Sequence, residues 1–546
     1  QPSAKALDNI VSATEGGAAF VATTATKNGD PATRAQAMAS DNSDDWIMAE
    51  EREITSIYSH NVWELVRRLP GMKVLGCRFV YKTKRKPDGE IEKFKARLVA
   101  QGFRQVFGVD YFDTFCSMVR VDSVRIIIAI AVHHDWRLFS IDIETFFLYG
   151  KIDADVYMEQ PEGYEQKNRK FWVCKLHKSL YGTKQAPRCA NKVLVDTLKQ
   201  LGFQQLISDN EVFILRDNGQ VFIMGIHVDD FICTSSCDKL KNLVFKRLKL
   251  HFKIKIDEEP TVFLSMQIER NKKEGWLKLH QSGYIDQLLE KFGMSDCKPC
   301  PTPIVEGLKL QDPREVQPTA EDAKIPYLNA MGGLIWLRMT RPDVAFAVGV
   351  LCRYMAKYTQ REWLLVKRVL RYLQGTKNLG LSYHRQTNPQ DSLKLTCWTD
   401  ADLAGRHFDS RSTAGYLIKL ANSTVIFRST VERRVANSTC EAETYALRNA
   451  CRELQWTRGL LRELGFLHDG PTTVYEDNQS AIKLSKNPVM HDRSKHFRIA
   501  QHYVRSLVSS EAIFLEYLCT KEMLADIFTK GLSASTFAYL RKKVMA

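Results

Sequence analysis

The chain has 546 residues, with 78 Lys and Arg against 63 Asp and Glu, a formal charge of +15, and it is 44% hydrophobic and 10% aromatic. That length suits about three or four domains, the apolar content excludes wholesale disorder, and no run of about 18 uncharged apolar residues is present to cross a membrane as a helix. The 13 Cys are odd in number and scattered, which fits a reducing compartment. The positive excess points to a polyanionic partner. The chain opens at Gln1 without a basic segment followed by an apolar run, as expected of a fragment or processed product rather than a secreted precursor.

Residues 1–42 are rich in Ala, Thr, Ser, Gly and Asn and are expected to form a disordered linker. Helical spacing begins at Trp46, Ile47, Ile54 and Ile57. Segments 77–86 and 90–100 flank Pro87-Asp88-Gly89, which predicts a hairpin. Alternate residues share a strand face, so Lys82, Lys84 and Lys86 line up, as do Lys93, Lys95 and Arg97. Two readings stand here: an edge strand guarded by Lys, or a cationic flap that closes over phosphates. The apolar stretch 123–133 predicts a helix leading to a strand at 138–142. An apolar run over 221–228, then Asp229 and Asp230, then Phe231-Ile-Cys predicts a hairpin with two carboxylates at its tip. A basic helix over 239–250, a Pro-rich break at 299–303 and helices with basic faces over 325–374 follow. Cys297 and Cys300 lack a second pair, so they read as a loop holding two thiols rather than a zinc site. From about 392 the pattern is a strand, a hairpin (416–420 and 424–427), a long helix over 440–464, a strand at 472–475 and a helix to 485. That order fits an α/β sheet with carboxylates at strand ends.

Two carboxylate constellations emerge. Asp142, Asp229 and Asp230 sit where apolar strands stop. Buried like charges repel unless a cation neutralises them, and hard oxygen ligands suit Mg²⁺; a solvated turn is the plain alternative. The second set is Asp400, a helix Glu, Asp477 and Asp526. Glu441 and Glu443 compete for the helix position. The apolar stripe Ala446, Leu447, Ala450 and Leu454 puts Glu443 on the sheet side, which leaves Glu441 expected to be exposed. Asp477 also reads as a helix N-cap and Asp526 as a surface charge.

The strings Lys95-Ala-Arg-Leu-Val-Ala-Gln-Gly-Phe, Asp142-Ile-Glu-Thr-Phe-Phe-Leu-Tyr-Gly, Ser179-Leu-Tyr-Gly-Thr-Lys-Gln-Ala-Pro-Arg and Val228-Asp-Asp resemble the copia-type retrotransposon reverse transcriptase. Thr399-Asp-Ala-Asp-Leu-Ala-Gly, Cys440-Glu-Ala-Glu, Glu476-Asp-Asn-Gln-Ser-Ala and Ala525-Asp-Ile-Phe-Thr-Lys resemble the RNase H part of the same polyprotein. The likeness runs from about residue 45 to the C-terminus. It implies an α/β and α+β multidomain chain: a right-hand polymerase with fingers, palm and thumb, then a connection and an RNase H-like α/β domain. The expected bounds are a linker at 1–42, fingers and palm at 43–238, a thumb-like region at 239–305, a connection at 306–390 and the RNase H-like domain at 391–546.

The resemblance also implies RNA- and DNA-directed DNA synthesis and hydrolysis of the RNA strand of a hybrid, with two Mg²⁺ per site and Mn²⁺ as an alternative. By position, Asp142, Asp229 and Asp230 become polymerase ligands, and Asp400, Glu443, Asp477 and Asp526 nuclease ligands. Lys95 and Arg97 become triphosphate contacts, Phe147 the gate against a ribose hydroxyl, and Gln185 a neighbour of the incoming nucleotide. Implied partners are an RNA template, a DNA primer, an RNA–DNA hybrid, deoxynucleoside triphosphates and a tRNA primer. Integrase, protease and capsid would lie on polyprotein sequence outside this chain. The implied setting is a cytoplasmic virus-like particle or the nucleus, with no membrane. His227 stands where the family has Tyr, and Phe146, expected near the sugar, where it has Ala. These departures keep two other possibilities open: a decayed copy that only folds and binds nucleic acid, and a protein with nuclease activity alone.

Overall fold

The computed structural model describes residues 29–85, 90–386, 393–486 and 498–546. Lys86 and the turn Pro87-Asp88-Gly89 lie outside them, as do residues 1–28. The linker expected through residue 42 is corrected over its described part. A short helix, Arg34–Met38, is capped by Thr33 and buries Ala37, and Asp30 accepts from Thr83 N (2.8 Å). The small polar composition of 29–42 therefore serves a close-packed turn against the hairpin.

Six strands form one sheet in the order Ile254–Asp257, Arg137–Ile143, Asp230–Ser235, Gln220–His227, Val212–Asp217, Gln204–Gln205. Alternation sends Phe139, Ile141, Phe222, Met224 and Phe231 to one face, against helices Ala186–Gln200 and Asp238–Leu248. Leu138, Ile223 and Ile232 face the helix Val121–His133. The middle of that helix, Ile126-Ile-Ile-Ala-Ile-Ala-Val132, is apolar all round because both of its sides are covered. One side meets this sheet and the other the strand Ser423–Val431 of a second sheet.

The second sheet has the order Ser423–Val431, Arg411–Leu420, Leu395–Arg406, Thr472–Glu476, Ile513–Tyr517. Its first three strands are antiparallel and its last two parallel to Leu395–Arg406. The helix Thr439–Leu464 packs across it. This mixed sheet is the α/β unit expected at the C-terminal end. Among the described residues no helix is long and apolar enough to cross a membrane.

The boundary expected between 239–305 and 306–390 is corrected. Strand Trp276–His280 pairs with Gly380–His384, so the two stretches share one four-stranded sheet. The Pro-rich segment is a seam, not a spacer. Pro299 lies so close to Gly375 that a Cβ there would stand 2.9 Å from it, and Arg371 Nε donates to Lys298 O (2.7 Å). Cys300 Sγ donates to the carbonyls of Thr302 and Arg368, which keeps the thiol in that seam.

A buried ionic knot fixes the two sheets to each other. Asp122, in the first turn of the buried helix, accepts from Arg125 Nη1 (3.0 Å) and Arg428 Nη2 (2.6 Å). Arg120 bridges Asp122 and Glu453 of the long helix. Burial opposes the Asp122 charge, but Arg428 and Arg125 overcome it and hold the carboxyl at about 2. Removing one member of a buried ionic group strands the rest without a counter-charge. Asp122→Ala is therefore expected to cost about 3–5 kcal/mol, checked by urea denaturation at neutral pH. A loss below about 1 kcal/mol, the scale of exposed pairs, would show that the knot does not anchor the two sheets.

Candidate active sites

The first site is assembled by strand register. Asp142 near the end of Arg137–Ile143 lies directly opposite Asp230, the first residue of its neighbour strand. That pairing brings their Cα atoms to about 4.5–5.5 Å. Ile143 N donates to Asp229 O (3.1 Å), which brings the third acid to the same edge. Val228 turns the tip with φ +61°, and Thr145 follows Asp142 with φ +54°. Both are β-branched residues in the left-handed region, which costs free energy and marks a backbone held for a purpose.

Burial and Asp142 push Asp229 up, and Asp230 is pushed up to about 6 by burial, Asp229 and Asp142. Lys95 and Arg97 pull Asp229 down and Lys84 pulls Asp230 down, so the cationic hairpin lies over the three acids. In that hairpin Lys82 faces Lys95 and Lys84 faces Lys93 across the strands. Like charges directly opposite are destabilising.

Sequence reasoning missed the groups that aim Arg97. Its guanidinium reaches Glu53 Oε2 (2.9 Å) and lies 4.6 Å over the Tyr181 ring. Glu53 also accepts from Leu98 N. The signal was present: Glu50 and Glu53 fall on the buried stripe of Ser43–Ser59 with Trp46, Ala49, Ile54 and Ile57, where an unpaired acid does not belong.

Phe147 is half-buried at the same edge, its ring edge-on to Tyr181 (4.9 Å), and its carbonyl accepts from Ser179 Oγ. Phe146 is corrected: it is 1% exposed, packed with Ala190 and Leu194 in the core against the six-stranded sheet, and does not line the cleft. Gln185 is corrected as a nucleotide contact. It is wholly buried, accepting from Gln105 Nε2 (2.9 Å) and donating to Asp110 O (2.8 Å), so its amide is spent on bracing the loop before the buried helix. His227 is half-buried and pairs with Asp230 in the hairpin.

The second site is tighter. Asp400, Glu443 and Asp477 offer oxygens that all lie within 4.8 Å of one another, and among the described residues no other three acidic, His or Cys groups do so. The Asp142, Asp229 and Asp230 oxygens are thus less closely gathered. Glu443 Oε2 is buried without a hydrogen-bond partner, as is Glu476 Oε2. An orphaned pair of carboxylate oxygens fits a hard divalent cation. Burial, then Glu476 and Asp400, pushes Glu443 well up.

Glu441 is corrected. It is 3% exposed and accepts from Asn437 N, Asn437 Nδ2 and Tyr445 Oη. It fastens the start of the long helix and leaves Glu443 free for the site. Glu476 is the acid that sequence reasoning missed; its place at two-residue spacing from the buried Thr472 and Val474 marked it as inward. Asp526 lies in a short 3-10 helix, Leu524–Phe528, and is buried rather than a surface charge. It faces Asp400 and is ion-paired to Lys530 (2.9 Å).

A family model described as reverse transcriptase (RNA-dependent DNA polymerase) matches residues 60–306. The chain is 35% identical over 532 residues to the retrovirus-related Pol polyprotein from transposon RE2 of Arabidopsis thaliana, covering 96% of this chain and 35% of that protein. It is likewise 35% identical over 506 residues to the Pol polyprotein from transposon TNT 1-94 of Nicotiana tabacum, covering 91% of this chain and 37% of the relative. Nearly the whole chain is thus similar to the Pol polyproteins of copia-type retrotransposons, and residues 60–306 carry the reverse-transcriptase family match. It spans about a third of the length of these relatives. A foamy viral protease–reverse transcriptase in complex with double-stranded DNA aligns with TM-score 0.46 and 13% identity, over 87% of this chain and 69% of that one. The matched residues include Asp142, Asp229 and Asp230, and the reverse-transcriptase family uses divalent metal; Asp400, Glu443, Asp477 and Asp526 lie beyond the matched residues.

Proposed function

We propose that this Pol segment is an RNA- and DNA-directed DNA polymerase joined to a ribonuclease H that cuts the RNA strand of RNA–DNA hybrids. The observation that carries it is the meeting of Asp142, Asp229 and Asp230 at one sheet edge beneath Lys95 and Arg97. The three acids would hold Mg²⁺, or Mn²⁺ in its place, two ions per site. Bound ions neutralise phosphate charge and sharpen the attacking oxygen. Lys95 and Arg97 grip the triphosphate, with Arg97 aimed by Glu53 and Tyr181. The Phe147 ring closes the space beneath the sugar, so a 2′-hydroxyl does not fit. The primer hydroxyl is held in line with the α-phosphate, and pyrophosphate leaves toward the cationic hairpin.

In the nuclease site Asp400, Glu443, Asp477 and Asp526 would hold the ions, and water stands where the primer hydroxyl stands in the first. A cavity of about 480 Å³ on the outer flank of the long helix is lined by Arg433, Arg434, Arg448 and Arg452, in keeping with a polyanionic strand. The template, primer, hybrid, triphosphates and a priming tRNA are the proposed partners, and a virus-like particle or the nucleus the proposed setting.

The test is extension of a DNA primer on an RNA template with Mg²⁺, alongside cleavage of a labelled hybrid. Full-length product and shortened RNA are expected. Salt-dependent hybrid binding with neither product, also after His227→Tyr, would favour the decayed copy instead; cleavage without extension would favour a nuclease alone.

A further inference from the structure

One cation already sits inside the nuclease carboxylates. Lys530 Nζ is 2.9 Å from Asp526 Oδ1 and 3.7 Å from Asp400 Oδ2. Its position is fixed by the backbone around it. Gly415 pairs with Asp400 across the sheet, and a Cβ at Gly415 would meet Phe528 Cβ and Thr529 Cγ2 at 2.8 Å. The missing side chain lets the 525–529 turn lie directly on the strand. Thr529 Oγ1 donates to Asp400 Oδ2 and Thr529 N to Asp526 O (3.2 Å), so the next residue projects into the cluster. Asp400 is consequently shared. One side belongs to the group with Glu443 and Asp477, and the other is held with Asp526 by the ammonium. Paired catalytic ions stand about 3.5–4 Å apart, so a second ion needs the ground that Lys530 covers.

We propose that Lys530 is a tethered counter-ion for the Asp400–Asp526 half of the nuclease site, so that the resting site takes one divalent ion readily and a second only as the ammonium swings out. This rests on the nuclease reading above. The Lys530 side chain is about one-third exposed, and its flexible four-carbon stem lets the charge leave without moving the backbone. Outside the cluster it faces solvent, where a phosphate of an arriving hybrid would receive it. Loading of the second ion is thereby tied to the presence of substrate.

The test is Mn²⁺ titration of the full chain by calorimetry, in an Asp142→Asn, Asp229→Asn background that silences the first site. One ion is expected to bind tightly and a second about tenfold or more weakly, since the latter competes with a unit charge at contact distance. Lys530→Met, similar in length and uncharged, is expected to tighten the second ion about tenfold. It should also lower the metal-free melting temperature, with recovery in excess Mn²⁺. Lys530→Arg is expected to keep the wild-type gap between the two ions. An unchanged second ion in Lys530→Met overturns the proposal.

Glu443→Gln serves as the separate control. Persistence of the tight ion there would refute the nuclease site itself, independently of Lys530. On the unaltered chain, amine acetylation read by mass spectrometry gives a measurement free of any folding defect. Lys530 should be protected without metal and become reactive across the second binding step; equal labelling with and without Mn²⁺ also overturns the proposal.

Discussion

Asp229→Asn is expected to lower primer extension about a thousandfold or more, close to 4 kcal/mol of barrier, while hybrid cleavage stays within about twofold. The substitution keeps the shape of the hairpin tip, since Val228 and the Ile143 N to Asp229 O bond are backbone features. What it removes is one negative charge of three at an edge faced by Lys84, Lys95 and Arg97. Two losses follow. The edge loses a hard ligand, and an amide in its place offers a neutral oxygen to a cation that prefers carboxylate. The cationic hairpin also loses an attractor that orients it over the cleft. The two effects are separable: raising Mn²⁺ should restore part of the first and none of the second. Extension by Asp229→Asn at near wild-type rate would remove this edge from the chemistry.

Cleavage survives because the nuclease acids stand on a different sheet. The two sheets are joined through the buried helix and the Asp122 knot, a rigid seam with no titratable group shared between the sites. A single-site substitution at one is thus expected to leave the other intact, whereas Asp122→Ala should disturb both through stability.

Much of this arrangement was legible in the residues. The hairpin carrying Asp229 and Asp230 announces itself as an apolar run broken by two acids, because only a turn or a cation tolerates such a pair. The stripe on the long helix put Glu443 rather than Glu441 on the side where Asp400 and Asp477 lie. It misjudged Glu441, because periodicity ranks faces by apolar neighbours and cannot see that Asn437 and Tyr445 satisfy a buried carboxylate. Phe146 was misplaced for a related reason. Adjacent residues in a tight turn point to different sides, and no local pattern says which of Phe146 and Phe147 faces the core. Gln185 shows the limit of carrying a position across by likeness: its amide is claimed by Gln105 and Asp110, about 80 and 75 residues away in sequence. The failed boundary at residue 305 has a topological cause. A strand finds its partner about a hundred residues later, and Pro-rich composition marks an extended path without revealing what it packs against.

Asp477→Asn is expected to reduce cleavage of the RNA strand about a thousandfold or more, again near 4 kcal/mol, with primer extension unchanged. Asp477 is the most exposed of the three gathered acids and directly follows the strand Thr472–Glu476, whose last residue, Glu476, is wholly buried. Removing its charge leaves Asp400 and Glu443 to hold a cation between two oxygens instead of three.

A stability signature should accompany the loss and tell it apart from unfolding. Burial and mutual repulsion raise Asp477, Glu443, Glu476 and Asp526 above their ordinary range, with Asp526 reaching about 7. The folded, metal-free chain therefore holds protons that the unfolded chain releases from about pH 4 upward. The contribution of these four carboxyls to folding stability falls as pH rises from there toward 7. Mg²⁺ should flatten that slope by supplying the missing counter-charge. Asp477→Asn and Glu443→Gln should both raise the melting temperature in EDTA at pH 7.5 while abolishing cleavage. Thermal melts at pH 5 and 7.5, with and without Mg²⁺, read all of these outcomes. An inactive variant that is less stable than wild type in EDTA would mean that these carboxylates support the fold and not the reaction.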